Sequence, residues 1–222
     1  MSVLGIRRAV LAFSTAMLVS ITAESAVLYQ QSALHPSDDL GAVQWAAQKL
    51  ADDFSLAAPG VVNAITWKGG YYGTDNASGS ESFTVHLYVD SGGVPESAPF
   101  YSFAGSAAIT STADTKAGET IYSYFLDVTD VALSGGVLYW LSIYTNDSPM
   151  NWAWSNSADG SSDGAFKFSI DPWAQFDDFD RSNHVFALHS ADAMPVIEPS
   201  TLSILGLGVA GLAFARRRDR AV

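Results

Sequence analysis

The two ends of the chain are apolar segments with arginines beside them, and they limit how much sequence is left to fold. At the C-terminus, Leu202 to Ala215 is almost wholly apolar and is followed by Arg216, Arg217 and Arg218. An apolar helix closed by basic residues is favourable in a bilayer and keeps its cations on the cytoplasmic side. We therefore predict a targeting segment over 195–222, with a membrane helix at 202–215 and the three arginines as its stop.

The N-terminus has the organisation of a signal peptide. Arg7 and Arg8 precede an apolar run from Ala9 to Ile21, and the small residues Ala23 and Ser25 fit the positions before a signal-peptidase cut. Cleavage after Ser25 removes residues 1–25, whereas cleavage after Ala23 and a retained N-terminal anchor are the alternatives. Residues 26–194 then form one domain, which is long enough to bury a sizeable core.

The residues just before the apolar C-terminal run carry a motif. Glu198 and Pro199 are followed by Ser200 and then by Thr201, and with the helix and the arginines they resemble the PEP-CTERM sorting signal of exported Gram-negative proteins. Ile197 stands where that family usually has its first proline. The resemblance implies processing near Pro199 by an exosortase, after transient residence in the inner membrane, and delivery to the cell surface or the medium.

An uncut tail anchor is the alternative to a processed tail. The fourteen residues from Leu202 to Ala215 form a helix of about 21 Å at ~1.5 Å per residue, which is shorter than the ~30 Å hydrocarbon core. Such a helix must borrow flanking residues or thin the bilayer. A marginal span of this kind suits transient residence in the membrane.

Charge and cysteine usage exclude several functions for residues 26–194. That range holds five basic and twenty acidic residues, a net charge of −15, which argues against nucleic acid as a partner because phosphates need a basic surface. Two interpretations fit the negative charge. It keeps the protein soluble through self-repulsion, or its carboxylates are bridged by divalent cations. The chain has no cysteine, so disulfides, thiolate metal sites and a cysteine nucleophile are excluded.

The hydrophobic pattern between the ends indicates β-strands. Phe83 to Val89 alternates strictly between apolar and polar residues, and Val137 to Thr145 is apolar on both faces, which predicts a central strand. Residues 43–56 fit a helix or a strand, with a strand favoured at Phe54 to Leu56. Further strands are predicted at Val61–Trp67, Thr120–Val128, Trp152–Trp154 and Val185–Leu188, with a short one that points Phe166, Phe168 and Ile170 inward.

Seven to nine short strands with glycine turns, and no βαβ alternation, predict an all-β fold with a single antiparallel β-sandwich or jelly-roll domain. Short aromatic motifs, among them Ile65-Thr-Trp67 and Leu138 to Ile143, also make this domain similar to the β-sandwich domains that precede such sorting tails. Those domains mostly have no assigned activity. The likeness therefore implies a fold and an extracellular setting, without a catalytic residue.

A metal site is the first functional hypothesis for the domain. Asp159 and Asp163 fall on positions 1 and 5 of a calcium loop, but Ile170 holds position 12, where a bidentate glutamate belongs, and Asp171 comes one residue late. A solvated turn is the favoured interpretation, and no cofactor is expected. Calcium bound at this loop, or between the acidic clusters at Asp52 and Asp177, is the alternative.

Trp152 and Trp154 are the candidate ligand-binding residues. Their spacing places both rings on one face of a strand, where an exposed pair stacks on sugars and a buried pair fills a core, and core packing is favoured. The histidines and serines match no catalytic motif. We therefore expect no enzyme activity; a hydrolase would need carboxylates that converge in a cleft.

These observations predict an exported surface or exopolysaccharide-matrix protein with a structural or adhesive role. Its expected processing enzymes are signal peptidase and an exosortase, and extracellular polysaccharide is its expected partner. The alternative function is that of a carbohydrate-binding module, assisted by calcium.

Overall fold

The structure is a computed structural model that describes residues 26–36, 42–43, 48–73, 77, 80–146, 151–159, 164–168, 170–175 and 183–190. The predicted signal peptide and the C-terminal segment lie outside the described residues, and with them Ile197 to Ser200 and Arg216 to Arg218. The described ranges contain no helix that is long and apolar enough to cross a membrane.

Twelve strands account for most of the residues that the structure describes, and no helix is present among them. The strands are β1 (Ala26–Gln31), β2 (Ala42–Val43), β3 (Gln48–Ser55), β4 (Gly60–Tyr71), β5 (Ser80–Val89), β6 (Tyr101–Lys116), β7 (Glu119–Leu133), β8 (Leu138–Thr145), β9 (Trp152–Trp154), β10 (Ala165–Phe168), β11 (Ala174–Gln175) and β12 (Phe186–Ser190).

The strands form one antiparallel sheet that curls back on itself. Its order is β1-β12-β4-β7-β6-β5-β8-β3-β10-β11. Strand β9 pairs with the end of β4 that follows the part paired with β12, and it also pairs with β2. Three ring contacts join strands that are not neighbours in this order: Trp67 in β4 with Phe83 in β5, Tyr124 in β7 with Phe83, and Phe54 in β3 with Phe186 in β12. The two halves of the sheet therefore face each other across the core. The predicted all-β antiparallel fold is confirmed, and it is built from one curled sheet.

Strand β6 is the corner between the two halves. Its first part, from Tyr101 to Ala108, pairs with β5, and its second part, from Ala108 to Lys116, pairs with β7. No strand was predicted here, because the segment is rich in Ser, Ala and Thr and most of its side chains are exposed or half-buried. The packing that makes it a strand comes from its neighbours in the sheet, not from its own hydrophobic pattern.

The aromatic core lies between the two halves and holds the largest buried side chains. Trp67 stacks on Tyr124 with ring centroids 5.4 Å apart, and Phe83 meets both rings edge-on. Offset and edge-to-face aromatic pairs add about 0.5–1.5 kcal/mol each to the free energy gained by burial. Aromatic burial therefore stabilises a domain that has no disulfide.

The structure decides two local predictions. Residues 48–55, which fitted a helix or a strand, form β3. The inward orientation predicted for Phe168 and Ile170 is wrong: Phe168 is exposed, and Ile170 is 96% exposed in a turn closed by the Asp171 amide, which donates to the Phe168 carbonyl at 2.8 Å. Because β10 ends at Phe168, its alternation stops before Ile170, and only Phe166 packs against the core.

Candidate functional site

Trp152 and Trp154 lie in the centre of the molecule. Both side chains are 0% exposed. The indole Nε1 of Trp152 donates to the Tyr124 hydroxyl at 3.3 Å, and that of Trp154 donates to the Val185 carbonyl at 3.0 Å. Neither ring is available to a ligand in this fold, so burial supports the interpretation of the pair as core residues.

The acidic loop that was compared with a calcium site is only partly described. Asp159 Oδ2 accepts hydrogen bonds from the backbone amides of Ser32 at 2.7 Å and Ala33 at 2.8 Å, so this carboxylate ties the loop to the end of β1. Asp171 is exposed, and Asp163 lies outside the described residues. Across the described ranges no three His, Asp or Glu side chains are grouped to hold a metal ion. The calcium loop stays a prediction.

Asp52 and His184 form a buried polar contact. Asp52 Oδ2 accepts from the backbone amide of His184 at 2.5 Å, and both residues are 0% exposed. The His184 ring stacks on Trp154 with centroids 4.5 Å apart. Burial lowers the pKa of His184 to about 3 and raises the pKa of Asp52 well above its usual range. Since the contact uses the amide and not the imidazole, it is not an acid–base pair for catalysis.

A different group of side chains meets on the outer face of the sheet half built from β5, β8, β3 and β10. We call it the lysine–aromatic face and define it as Lys49, His86, Ser142, Tyr144 and Lys167. Lys49 and Lys167 are direct cross-strand partners in β3 and β10, and His86 and Ser142 are partners in β5 and β8. Directly opposed residues of an antiparallel pair point to the same side of the sheet. The pairing therefore brings residues from four strands to one surface.

Aromatic rings sit beneath both ammonium groups of this face. Lys49 Nζ lies 4.1 Å from the centroid of the Tyr144 ring, and Lys167 Nζ lies 4.8 Å from that of Trp173. The His86 ring contacts the Tyr144 ring edge-on at 5.4 Å, and its Nδ1 lies 3.0 Å from the Tyr88 hydroxyl. Burial, with the charges of Lys49 and Lys167, lowers the pKa of His86 to about 4, so this imidazole is neutral at neutral pH.

A second apolar cluster supports the lysine–aromatic face from beside it. The cluster comprises Ala51, Tyr88, Trp140, Ala165 and Trp173, with Val94 packed against it. The indole of Trp140 donates to Asp90 Oδ1 at 2.9 Å, which joins the cluster to the turn after β5. These contacts fix the strands that carry the lysines.

The lysine–aromatic face was not predicted from the sequence. Lys49 falls in the segment that fits a helix or a strand. His86 is a polar position in an alternating strand and one of the histidines that match no catalytic motif. A signal existed, since Lys49 and Lys167 are two of the five basic residues in 26–194. Only the β3–β10 pairing shows that these two are neighbours.

Comparisons with known proteins concern the C-terminal tail. Residues 198–218 match the family model described as the PEP-CTERM protein-sorting motif, and the match begins one residue after Ile197. No curated protein and no solved structure matches the chain. The motif supports an exported protein, and processing by an exosortase follows from it. The chain therefore carries a PEP-CTERM sorting motif at residues 198–218, which supports an exported exosortase substrate.

Proposed function

We propose that this protein is a structural or adhesive component of the cell envelope or of an exopolysaccharide matrix. The observation that carries the proposal is the sorting motif at residues 198–218, which supports export to the cell surface through a membrane-associated step. The domain before it is acidic and contains no cysteine, properties that keep a secreted protein soluble and independent of oxidative folding.

The proposed route has three steps. Signal peptidase removes residues 1–25, the helix at 202–215 holds the chain in the inner membrane, and Arg216 to Arg218 stop its transfer. An exosortase then cuts near Glu198 and Pro199 and frees the β-sheet domain from the membrane. The domain reaches the surface or the medium as a soluble acidic body.

The test is the intact mass and location of the protein in producing cells with and without the exosortase. We expect the segment after about Pro199 to be lost, and the body to appear at the surface or in the medium, only when the protease is present. A full tail in the inner membrane of both strains would make the protein a tail-anchored periplasmic domain.

Position 197 offers a matched pair of variants. Ile197→Pro restores the proline that the resembling family usually has, and Ile197→Val keeps a β-branched apolar residue. If the missing proline limits processing, the first variant yields more cut product and the second yields the same amount as the natural chain. Pulse-chase labelling followed by mass measurement distinguishes these outcomes.

The structural or adhesive role has a separate test. The processed body is incubated with exopolysaccharide matrix from a strain that lacks this protein, and the bound fraction is measured by sedimentation. Retention supports adhesion to the matrix. Complete recovery of the body in the supernatant would contradict it.

A further inference from the structure

The opposed lysines of the lysine–aromatic face are the unexplained feature of the domain. Lys49 and Lys167 are paired directly across β3 and β10, and like charges in such positions destabilise a sheet. Each is half-buried, and the pKa of Lys167 is lowered by burial and then by Lys49. Two cations are thus held together on a protein that is otherwise strongly acidic.

Neither ammonium group is neutralised by a carboxylate within the part of the chain that the structure describes. The contrast is Lys68, whose Nζ lies 2.9 Å from Asp114 Oδ2. The contacts described for Lys49 and Lys167 are instead with the faces of Tyr144 and Trp173. Cation–π contacts leave the outward N–H groups of a lysine free to bind an anion.

A buried hydroxyl lies in the same face. Ser142 is opposite His86 and is 0% exposed, and its Oγ has no hydrogen-bond partner among the described residues. A buried hydroxyl without a partner is costly. Since Trp140, Ser142 and Tyr144 alternate with the core residues Leu141 and Ile143, Ser142 points to the side of the sheet that carries the lysines. Because it is 0% exposed, it lies beneath that surface, and the half-buried lysines, His86 and Tyr144 are the groups that a ligand can contact.

These groups together match one ligand chemistry. Two lysines bind a carboxylate, aromatic rings pack against the C–H faces of a pyranose, and a neutral imidazole exchanges hydrogen bonds with sugar hydroxyls. The net charge of −15 in residues 26–194 repels nucleic acids and densely sulfated polymers. A sugar unit with a single carboxylate meets the two lysines without concentrating further negative charge against the domain.

We propose that the lysine–aromatic face binds a uronic-acid unit of an acidic extracellular polysaccharide. Lys49 and Lys167 hold the carboxylate, Tyr144 packs against the sugar ring, and His86, which is half-buried, hydrogen-bonds one of its hydroxyls. The assignment rests on the proposed function for its biological setting, and it names the ligand through which the domain adheres to the matrix.

The test uses the full-length chain in detergent micelles and isothermal titration calorimetry with trigalacturonate, with neutral maltotriose as the comparison. We expect trigalacturonate to bind with a dissociation constant of about 1 mM or tighter and maltotriose to bind at least about tenfold more weakly. The double variant Lys49→Met with Lys167→Met loses about tenfold or more in affinity. The control Lys68→Met, which removes a lysine already paired with Asp114, stays within about twofold of the natural chain.

Two further measurements distinguish a specific loss of binding from a folding defect in the methionine double variant. The double variant Lys49→Arg with Lys167→Arg keeps both charges and retains binding. In the unmodified protein, trigalacturonate shifts the NMR signals of the His86 and Tyr144 rings and leaves those of His189, on β12, in place. If neither ring signal moves, the site assignment is wrong even when calorimetry detects heat.

The remaining outcomes also decide the question. No binding of trigalacturonate, or equal binding by the natural chain and the methionine double variant, overturns the proposal. Tighter binding of dextran sulfate or of a DNA oligonucleotide shows a general anion site and overturns the sugar assignment. The sorting experiment is independent of these titrations. If the protein binds trigalacturonate but is not sorted, only the proposed surface location is overturned. If it is sorted but does not bind, only the uronic-acid site is overturned.

Discussion

Strands β7 and β8 show how differently the two halves of the sheet use their outer faces. Along β7, from Tyr124 to Leu133, buried side chains mostly alternate with exposed ones, as expected where one face meets solvent. Along β8, the residues from Tyr139 to Ile143 are buried on both faces. The difference arises because Trp173 and Val94 pack over the outer side of β8. One outer face is plain surface, whereas the other carries a second core with the lysine–aromatic face beside it.

The largest expected effect comes from emptying the second core. Trp140 is 1% exposed on the outer side of β8, and Phe125 is 41% exposed in β7. We expect Trp140→Ala to lower the free energy of unfolding by about 3–5 kcal/mol, because it leaves a cavity and removes the indole N–H that donates to Asp90. Phe125→Ala changes it by less than about 1 kcal/mol.

Urea unfolding followed by circular dichroism measures both variants. Equal losses of stability in the two variants would contradict the distinction between the outer faces. They would mean that Trp140 on β8 and Phe125 on β7 contribute equally to stability. A loss confined to Trp140→Ala establishes that the cover over β8 contributes to stability.

A second effect concerns the buried side and depends on pH. The folded pKa of His184 is about 3 and the unfolded value is about 6.5, so between these values the unfolded state binds more protons. Stability from this group is therefore present above about pH 6.5 and is lost as the pH falls towards 3. At pH 5 the loss amounts to about 2 kcal/mol relative to pH 8.

The variant His184→Phe isolates this term. Phenylalanine keeps a ring against Trp154 and keeps the backbone amide that donates a hydrogen bond to Asp52, but it does not titrate. The pKa of Asp52 is raised by burial, so Asp52 contributes in the opposite direction, with stability lost as the pH rises. Both proteins contain Asp52, so its contribution cancels when the stability lost from pH 8 to pH 5 is compared between the variant and the natural chain. Melting temperatures that fall equally in both proteins over this range would contradict the prediction.

The smallest effect is expected on the solvent side of β4 and β6. Lys68 and Asp114 form a salt bridge at 2.9 Å with 28% and 44% of their side chains exposed. Solvent screens a pair of this kind, so Lys68→Met should change the free energy of unfolding by less than about 0.5 kcal/mol. A loss above about 1 kcal/mol in urea unfolding would show that this outer face is more tightly organised than its exposure indicates.

The sequence predicted those parts of the fold in which one strand carries its own signal. Phe83 to Val89 alternates and forms most of β5, and Val137 to Thr145 is apolar on both faces and matches β8, which pairs with β5 and β3. Strand β6 was missed because its neighbours, not its composition, hold it in the sheet. The orientation of Ile170 was wrong because periodicity does not report where a strand ends.

The candidate site was harder to predict than the fold. Lys49 and Lys167 are far apart in sequence, and each is unremarkable alone. Their opposition is a property of register, which depends on how β3 and β10 align, and a shift of one residue would place them on opposite faces. Trp152 and Trp154 present the opposite difficulty. Their two-residue spacing is a visible pattern, but it fits both an exposed pair and a core pair.

The place of β12 in the sheet has a mechanical consequence. This strand leads to the C-terminal segment, and it lies between β1 and β4 with antiparallel partners on both sides. A pull on the C-terminal end of β12 that is directed along the strand acts across the hydrogen bonds to both neighbours at once, because those bonds run perpendicular to the strand. Such a load shears two ladders together instead of opening one pair at a time. A tether attached to an interior strand thus resists pulling better than one attached at an edge.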